Sequence, residues 1–195
     1  MDIFRYPLIA VHHERMAQTW ELWGSVIIAG TFALFLTPLA VVLLFRRRAR
    51  AGHPAPLRTA IADVGITVGT APWIWMILTP ANGPGGVGLV PFADLAELVS
   101  APWQTVFVQV GGNLLVFAAL GALLPVRTAA MASAGRVAAV AAAFSVLVEV
   151  LQLVLDLGRF SSVDDVLLNT AGAMISASVT RRWWAGRIPA ATIAR

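Results

Sequence analysis

The chain has 195 residues, 58% of them hydrophobic and 12% charged, with a mean hydropathy of +0.79. Soluble domains carry ~25% charged residues, so the composition excludes a freely soluble domain and points to an all-α, polytopic bundle of transmembrane helices. All fourteen basic residues are Arg, none is Lys, Cys is absent, and the net charge is +4. This excludes a disulfide framework or a thiolate zinc site, and Arg clustered beside apolar segments suits anionic lipid surfaces better than nucleic acid.

Residues 1–19 read as a polar or interfacial lead-in carrying His12-His13-Glu14-Arg15. Residues 20–102 hold the first two spans and an outer loop. Trp20 to Phe45 is longer than the ~20 residues a bilayer requires and lacks a small-residue cleavage site, so it is expected to be retained, with a kink at Thr37-Pro38. Arg46-Arg47-Arg48-Ala49-Arg50 and Arg58 follow and mark the strongest topological signal. The second span is expected over Thr59 to Thr79, broken at Pro72, with Gly65 and Gly69 allowing close helix contact. Asp63 in this span reads as interhelical glue or a partner for Arg58.

Thr79 to Pro102 is rich in Gly and Pro and reads as a loop, with Asp94 and Glu97 on one short helical turn. Residues 103–182 supply three more spans, for about five in all. The third runs from Trp103 to Leu124, ending at Pro125, with Gln109 and Asn113 at i,i+4. The fourth runs from Gly135 to Leu157 and the fifth from Val163 to Thr180. Residues 183–195 form a tail. Eleven Arg fall on one side of a five-span chain and three on the other, so the positive-inside rule predicts a multi-pass cell-membrane protein with its N-terminus outside and its C-terminus cytoplasmic.

The fourth and fifth spans carry the most informative pattern. Ser145, Glu149, Gln152 and Asp156 lie at offsets 0, 4, 7 and 11, and after Gly158-Arg159 the residues Asp165, Asn169, Gly172 and Ser176 repeat those offsets. On helices each set forms one stripe. Rise per residue places Glu149 roughly 21 Å from the cytoplasmic start of its helix and Asn169 roughly 9 Å below the outer end of its own. Gln109, Asn113, Ser145, Glu149, Gln152, Asp165 and Asn169 are therefore the candidate lining of one outward-facing pocket, with Arg159 and Asp164 at its mouth. An ionisable residue within a span is a functional-site hypothesis by default. Two competing readings are hydrogen-bond glue between helices, and Asp164-Asp165 as a helix cap with a surface ion pair.

Other features carry less. His12 and His13 point to opposite faces of a helix, and His53 lies across the membrane from them, so no metal site is expected. Gly85-Gly86-x-Gly88 lacks a following Lys-Ser/Thr and reads as a loop, not a phosphate cradle. Ser161-Ser162 has no His base, which argues against a serine nucleophile. No cofactor is expected.

Residues 103 to 180 resemble the VanZ-like family of integral membrane proteins. The resemblance rests on Asn113-Leu114-Leu115-Val116-Phe117 with Leu120-Gly121, then Ser145, Glu149 and Gln152, then Gly158-Arg159, Asp164-Asp165-Val166 and Asn169-Thr170-x-Gly172. Two positions depart from the family pattern: Ala119 stands where the family has Pro, and Ser176 where it has Gly. The resemblance implies a polytopic helical protein with a role in the cell envelope or in low-level resistance to the glycopeptide teicoplanin; it supplies no reaction. A membrane lipid or lipophilic glycopeptide is the partner it suggests. Two alternatives stay open: an intramembrane enzyme on a lipid-linked envelope precursor, with Glu149 or Asp164-Asp165 as acid/base, and a lipid or proton-coupled carrier using Glu149, as a homo-oligomer through Gly65 and Gly69.

Overall fold

The computed structural model describes residues 6–186 apart from Asn82, with side chains from Gly24 onward. The side chains of the lead-in, the His12-His13 pair and the tail beyond residue 186 lie outside the described residues.

Apolar length sets the first element. Helix α1 (Tyr6–Arg50) is continuous, and its part from Gly24 is long and apolar enough to cross a membrane. It ends on Arg47, Arg48 and Arg50, where positive charge meets the negative end of the helix dipole. Helix α2 (Pro56–Ile77) packs along it and opens with Pro at its first position, where the missing N–H has no intrahelical partner to lose. The expected break at Pro72 does not occur: α2 continues to Ile77. Membrane helices tolerate such a proline because neighbouring groups compensate the freed carbonyl.

After α2, residues 79–102 are not the plain loop expected. Strand β1 (Gly86–Gly88) precedes a short helix α3 (Ala93–Glu97), which matches the helical turn expected around Asp94 and Glu97. The third span comes in pieces: α4 (Trp103–Val106), a wide π turn over Phe107–Gly111, α5 (Gly112–Val116), and, after a break at Phe117, α6 (Ala118–Arg127). The span does not end at Pro125, which lies inside α6. The interruption falls at Phe117, at φ −111° and ψ 16°, two residues before Ala119, so this chain bends there without proline.

Helix α7 (Ala134–Val154) leads through strand β2 (Phe160–Ser162) into α8 (Val163–Val179). Strands β1 and β2 pair in parallel, Val87 opposite Ser161. This pairing joins the 79–102 segment to the α7–α8 turn, a contact that neither segment's composition announced. Among the described residues four helices are long and apolar enough to span a membrane. Helix α8, at 17 residues, is a little short of the ~20 a bilayer requires and packs among them as the fifth.

Helix α8 is the centre of the bundle, in contact with α5, α6 and α7. Two glycines set its spacing. A Cβ on Gly172 would stand 2.0 Å from the Leu114 carbonyl oxygen, and one on Gly121 would stand 2.2 Å from that of Ala173. Around this seam the core gathers Val116, Phe117, Val137, Ala141 and Ala173. Gly65 and Gly69 close α2 onto α6, facing Leu123 and Ala119, so this small-residue edge is occupied within the chain. Asp63 then ties three helices, accepting from Arg48 of α1 and, at 2.6 Å, from Arg127 of α6, not from Arg58. Trp184, buried, donates its indole N–H to the Ala177 carbonyl at 3.1 Å and fastens the end of the described chain.

The connections sort the arginines. Of the ten arginines whose side chains are described, nine lie at the end formed by the α1–α2 turn, the α6–α7 turn and the residues after α8; Arg159 stands at the other.

Candidate functional site

The Arg-poor end holds two adjoining cavities. The smaller, about 300 Å³, is lined by Asn113 of α5, Glu149 and Gln152 of α7, Arg159, and Asp165 and Asn169 of α8. These are six of the nine residues singled out above. The larger, about 710 Å³, takes Gln109 and Asp164 together with Trp73, Leu98, Val108 and Leu168. Ile77, Asn113, Phe160 and Asp165 belong to both walls. Ser145 lines neither; it is fully buried behind Asn169, whose Nδ2 donates to its Oγ at 2.8 Å. Asp156 leaves the stripe, because α7 ends at Val154 and Asp156 is exposed beyond it.

Local structure explains each placement. Ser162 caps α8, its Oγ accepting from the Asp164 N–H at 3.0 Å, so the two acidic residues fall in the first turn, where cap and dipole favour them. Successive residues then diverge. Asp164, 2% exposed, turns to the 79–102 segment and accepts the backbone N–H groups of Phe92 at 2.5 Å and Leu95 at 3.1 Å. It therefore fastens α3 over the site and does not stand at an open mouth. Asp165 turns inward and accepts from Asn113 Nδ2. Ser162 Oγ also donates to Asp94, so α3 is clasped at two points.

Glu149 accepts the Ser162 N–H at 3.2 Å on Oε2, while Ser161 Oγ donates to the Glu149 carbonyl at 3.2 Å. The two serines thus knit β2 to α7, and both are buried. Gln152 donates Nε2 to the Ile77 carbonyl at 2.9 Å, and Arg159 donates Nε to Thr79 at 2.9 Å and an Nη to Met76 at 3.0 Å. These bonds satisfy carbonyls at the end of α2, the groups a helix leaves without partners. Burial of the guanidinium draws its pKa below the usual arginine value.

Two contributors were not among the candidate site residues, although Asp94 was expected on a short helical turn. Phe160 lies against Gly86 and Gly88 of β1 and walls both cavities, while Asp94 anchors α3. Alternation over three residues is too short to announce a strand, and only the pairing across some seventy residues positions Phe160. The Gly85-Gly86-x-Gly88 run has a structural part instead: Gly86, at φ +146°, and Gly88 leave room beneath the Phe160 ring. Among the described residues no three His, Cys, Asp or Glu side chains gather as a metal ion would require.

A bundle of apolar helices with carboxylates and amides turned into cavities at one end defines a polytopic membrane protein with an internal polar site. The chain belongs to the VanZ/LLP1 family, which it matches over residues 64–184. No curated protein and no solved structure matches it. The family region begins inside α2 and takes in every residue of both cavities.

Proposed function

We propose that this protein contributes to glycopeptide resistance of the teicoplanin type, or to cell-envelope homeostasis, by holding a lipid head group or the membrane-anchored part of a lipophilic drug in the paired cavities. The observation that carries this reading is the convergence of Asn113, Glu149, Gln152, Arg159, Asp165 and Asn169 on one space of about 300 Å³. Scattered interhelical glue would distribute such residues over separate contacts, each worth ~0.6 kcal/mol in membranes. Family membership supports the link to glycopeptides. The positive-inside rule supports an outward-facing site, since it assigns the Arg-rich end, and with it the C-terminus, to the cytoplasm.

The test is Glu149→Gln in a glycopeptide-sensitised host. Loss of protection at unchanged protein level is expected, and unchanged susceptibility would sink the reading. Arg159→Ala is the less clean variant, because it also strips donors from the end of α2.

A second reading, an intramembrane enzyme on a lipid-linked precursor, draws on Glu149 and Asp165 sharing one cavity. Asp164 and Asp165 do not act as a pair: Asp164 is engaged by the Phe92 and Leu95 N–H groups, and Asp165 by Asn113. Turnover of a lipid-linked precursor by the purified protein, abolished by Glu149→Gln, would replace the binding role with this one.

A further inference from the structure

The smaller cavity is unbalanced in its hydrogen-bonding capacity. Each amide nitrogen on its wall already donates to a protein oxygen: Asn113 to Asp165, Gln152 to the Ile77 carbonyl, Asn169 to Ser145. Arg159 directs Nε and one Nη to the α2 carbonyls. On the acceptor side, the buried Oε1 of Gln152 and Oδ1 of Asn169 receive no hydrogen bond. These two side chains are 7% and 2% exposed, so bulk water does not serve them. The Gln152 amide has a defined orientation, because only its NH₂ group can serve the Ile77 carbonyl, which leaves the oxygen as its free end. Glu149 and Asp165 add carboxylate oxygens to the same wall.

A ligand that fits such a wall must bring donors and positive charge. A phosphate group brings only acceptors at full ionisation, and a quaternary ammonium brings charge without N–H bonds. A metal ion would need more anionic ligands than these walls group together. A primary ammonium supplies three donors on one compact charge. The neighbouring cavity supplies room for a chain: Trp73, Met76, Leu98, Val116 and Leu168 line it, and its exposed flank of Thr105, Val108 and Gln109 opens it along the side of the bundle.

We propose that the two cavities together hold one amine-bearing amphiphile, its ammonium among Glu149, Asp165, Gln152 and Asn169 and its apolar chain along α4 in the larger space. The inference rests on the binding role above and names the class of ligand.

The experiment uses the purified full chain in nanodiscs of equal phosphatidylethanolamine, phosphatidylcholine and phosphatidylglycerol with identical acyl chains, and retained lipid is read by native mass spectrometry. Phosphatidylethanolamine is expected to be retained roughly tenfold over phosphatidylcholine, the scale of one charge-assisted hydrogen bond. Glu149→Gln should lower that preference to below about twofold by the same scale; Asp165→Asn provides a second, isosteric variant if the first does not fold, and size-exclusion elution monitors both. Equal retention of the three lipids, or a preference that survives in a folded variant, overturns the proposal. Free ethanolamine should not displace the lipid; displacement would remove the chain compartment and overturn it as well. Loss of drug protection in Glu149→Gln without amine selectivity would refute this inference and leave the binding role standing, and selectivity with unchanged susceptibility would do the reverse.

Discussion

Helices α1 and α8 are both apolar membrane helices, yet they are held in place by different physics. Nothing stands within 4 Å of a Cβ placed on Gly30 of α1, whereas one on Gly172 of α8 meets the Leu114 backbone. Large side chains of α1 such as Phe32 and Phe35 are exposed, and α1 reaches the bundle along α2. In a bilayer an apolar surface gains nothing from leaving lipid, so α1 is kept in the membrane by hydropathy and on the bundle by packing along one partner, α2. Helix α8 is kept by shape: backbone-to-backbone approach at Gly172 and Gly121, with Asn169 bonded across to α7. The family match takes in α8 and leaves α1 out, and the shape-determined part is also the part that builds both cavities.

The largest effect should come from Gly172→Ala. The added methyl meets backbone, which cannot rotate away, so the cost is expected at or above the ~3 kcal/mol upper range of overpacking. Loss of the monodisperse peak in size-exclusion of detergent-extracted protein is the readout. A well-folded Gly172→Ala protein would erase the contrast between the two helices.

The attachment of α1 is tested by Asp63→Ala. This variant removes the acceptor shared by Arg48 and Arg127, and both ion pairs are partly exposed, so about 1 kcal/mol is expected, in line with solvent-screened pairs. Detergent melting curves should shift down modestly and the shift should shrink at high salt. A collapse comparable to Gly172→Ala would mean that α1 is as integral as α8.

How legible these regions were in the sequence follows the same division. Period and length identified the helical segments, and the offsets of Glu149, Gln152, Asp165 and Asn169 were enough to bring those four side chains onto one space, because a helix converts spacing directly into direction. Asn113 was expected beside Asp165 and does reach it, but most specific partners across long sequence separations were not legible. Asp63 was read as interhelical glue or a partner for Arg58; it is glue between helices, with donors from α1 and α6 that the sequence did not name. Strand β1 and Phe160 were invisible because three-residue strands carry no periodic signal. Asp156 was misplaced for a local reason: the helix stops two residues earlier, and Asp156 itself adopts φ 48°, outside the helical region. Phe117 interrupts the third span where a proline rule offered nothing to read.

Gly30→Ala should act in the opposite direction to Gly172→Ala. The new methyl meets open space, and the substitution removes a helix-interior glycine, so stability is expected to rise by up to about 0.5–1 kcal/mol, read as a higher melting temperature. A fall would reveal a partner for α1 that the isolated chain does not show.

Asn169→Ala should have the smallest effect on stability and separates folding from function within α8 itself. The variant removes one interhelical hydrogen bond, to Ser145, and such bonds average ~0.6 kcal/mol in membranes. It also removes an amide oxygen that accepts nothing from the protein. If that oxygen serves only packing, its loss should be neutral or slightly favourable, because an unpaired buried acceptor is a cost to the folded state. If it serves a ligand, protection against the glycopeptide should fall although the melting temperature barely moves. A stable Asn169→Ala protein with full protection would place the residue among the glue of the bundle, and would leave α8 differing from α1 in packing alone.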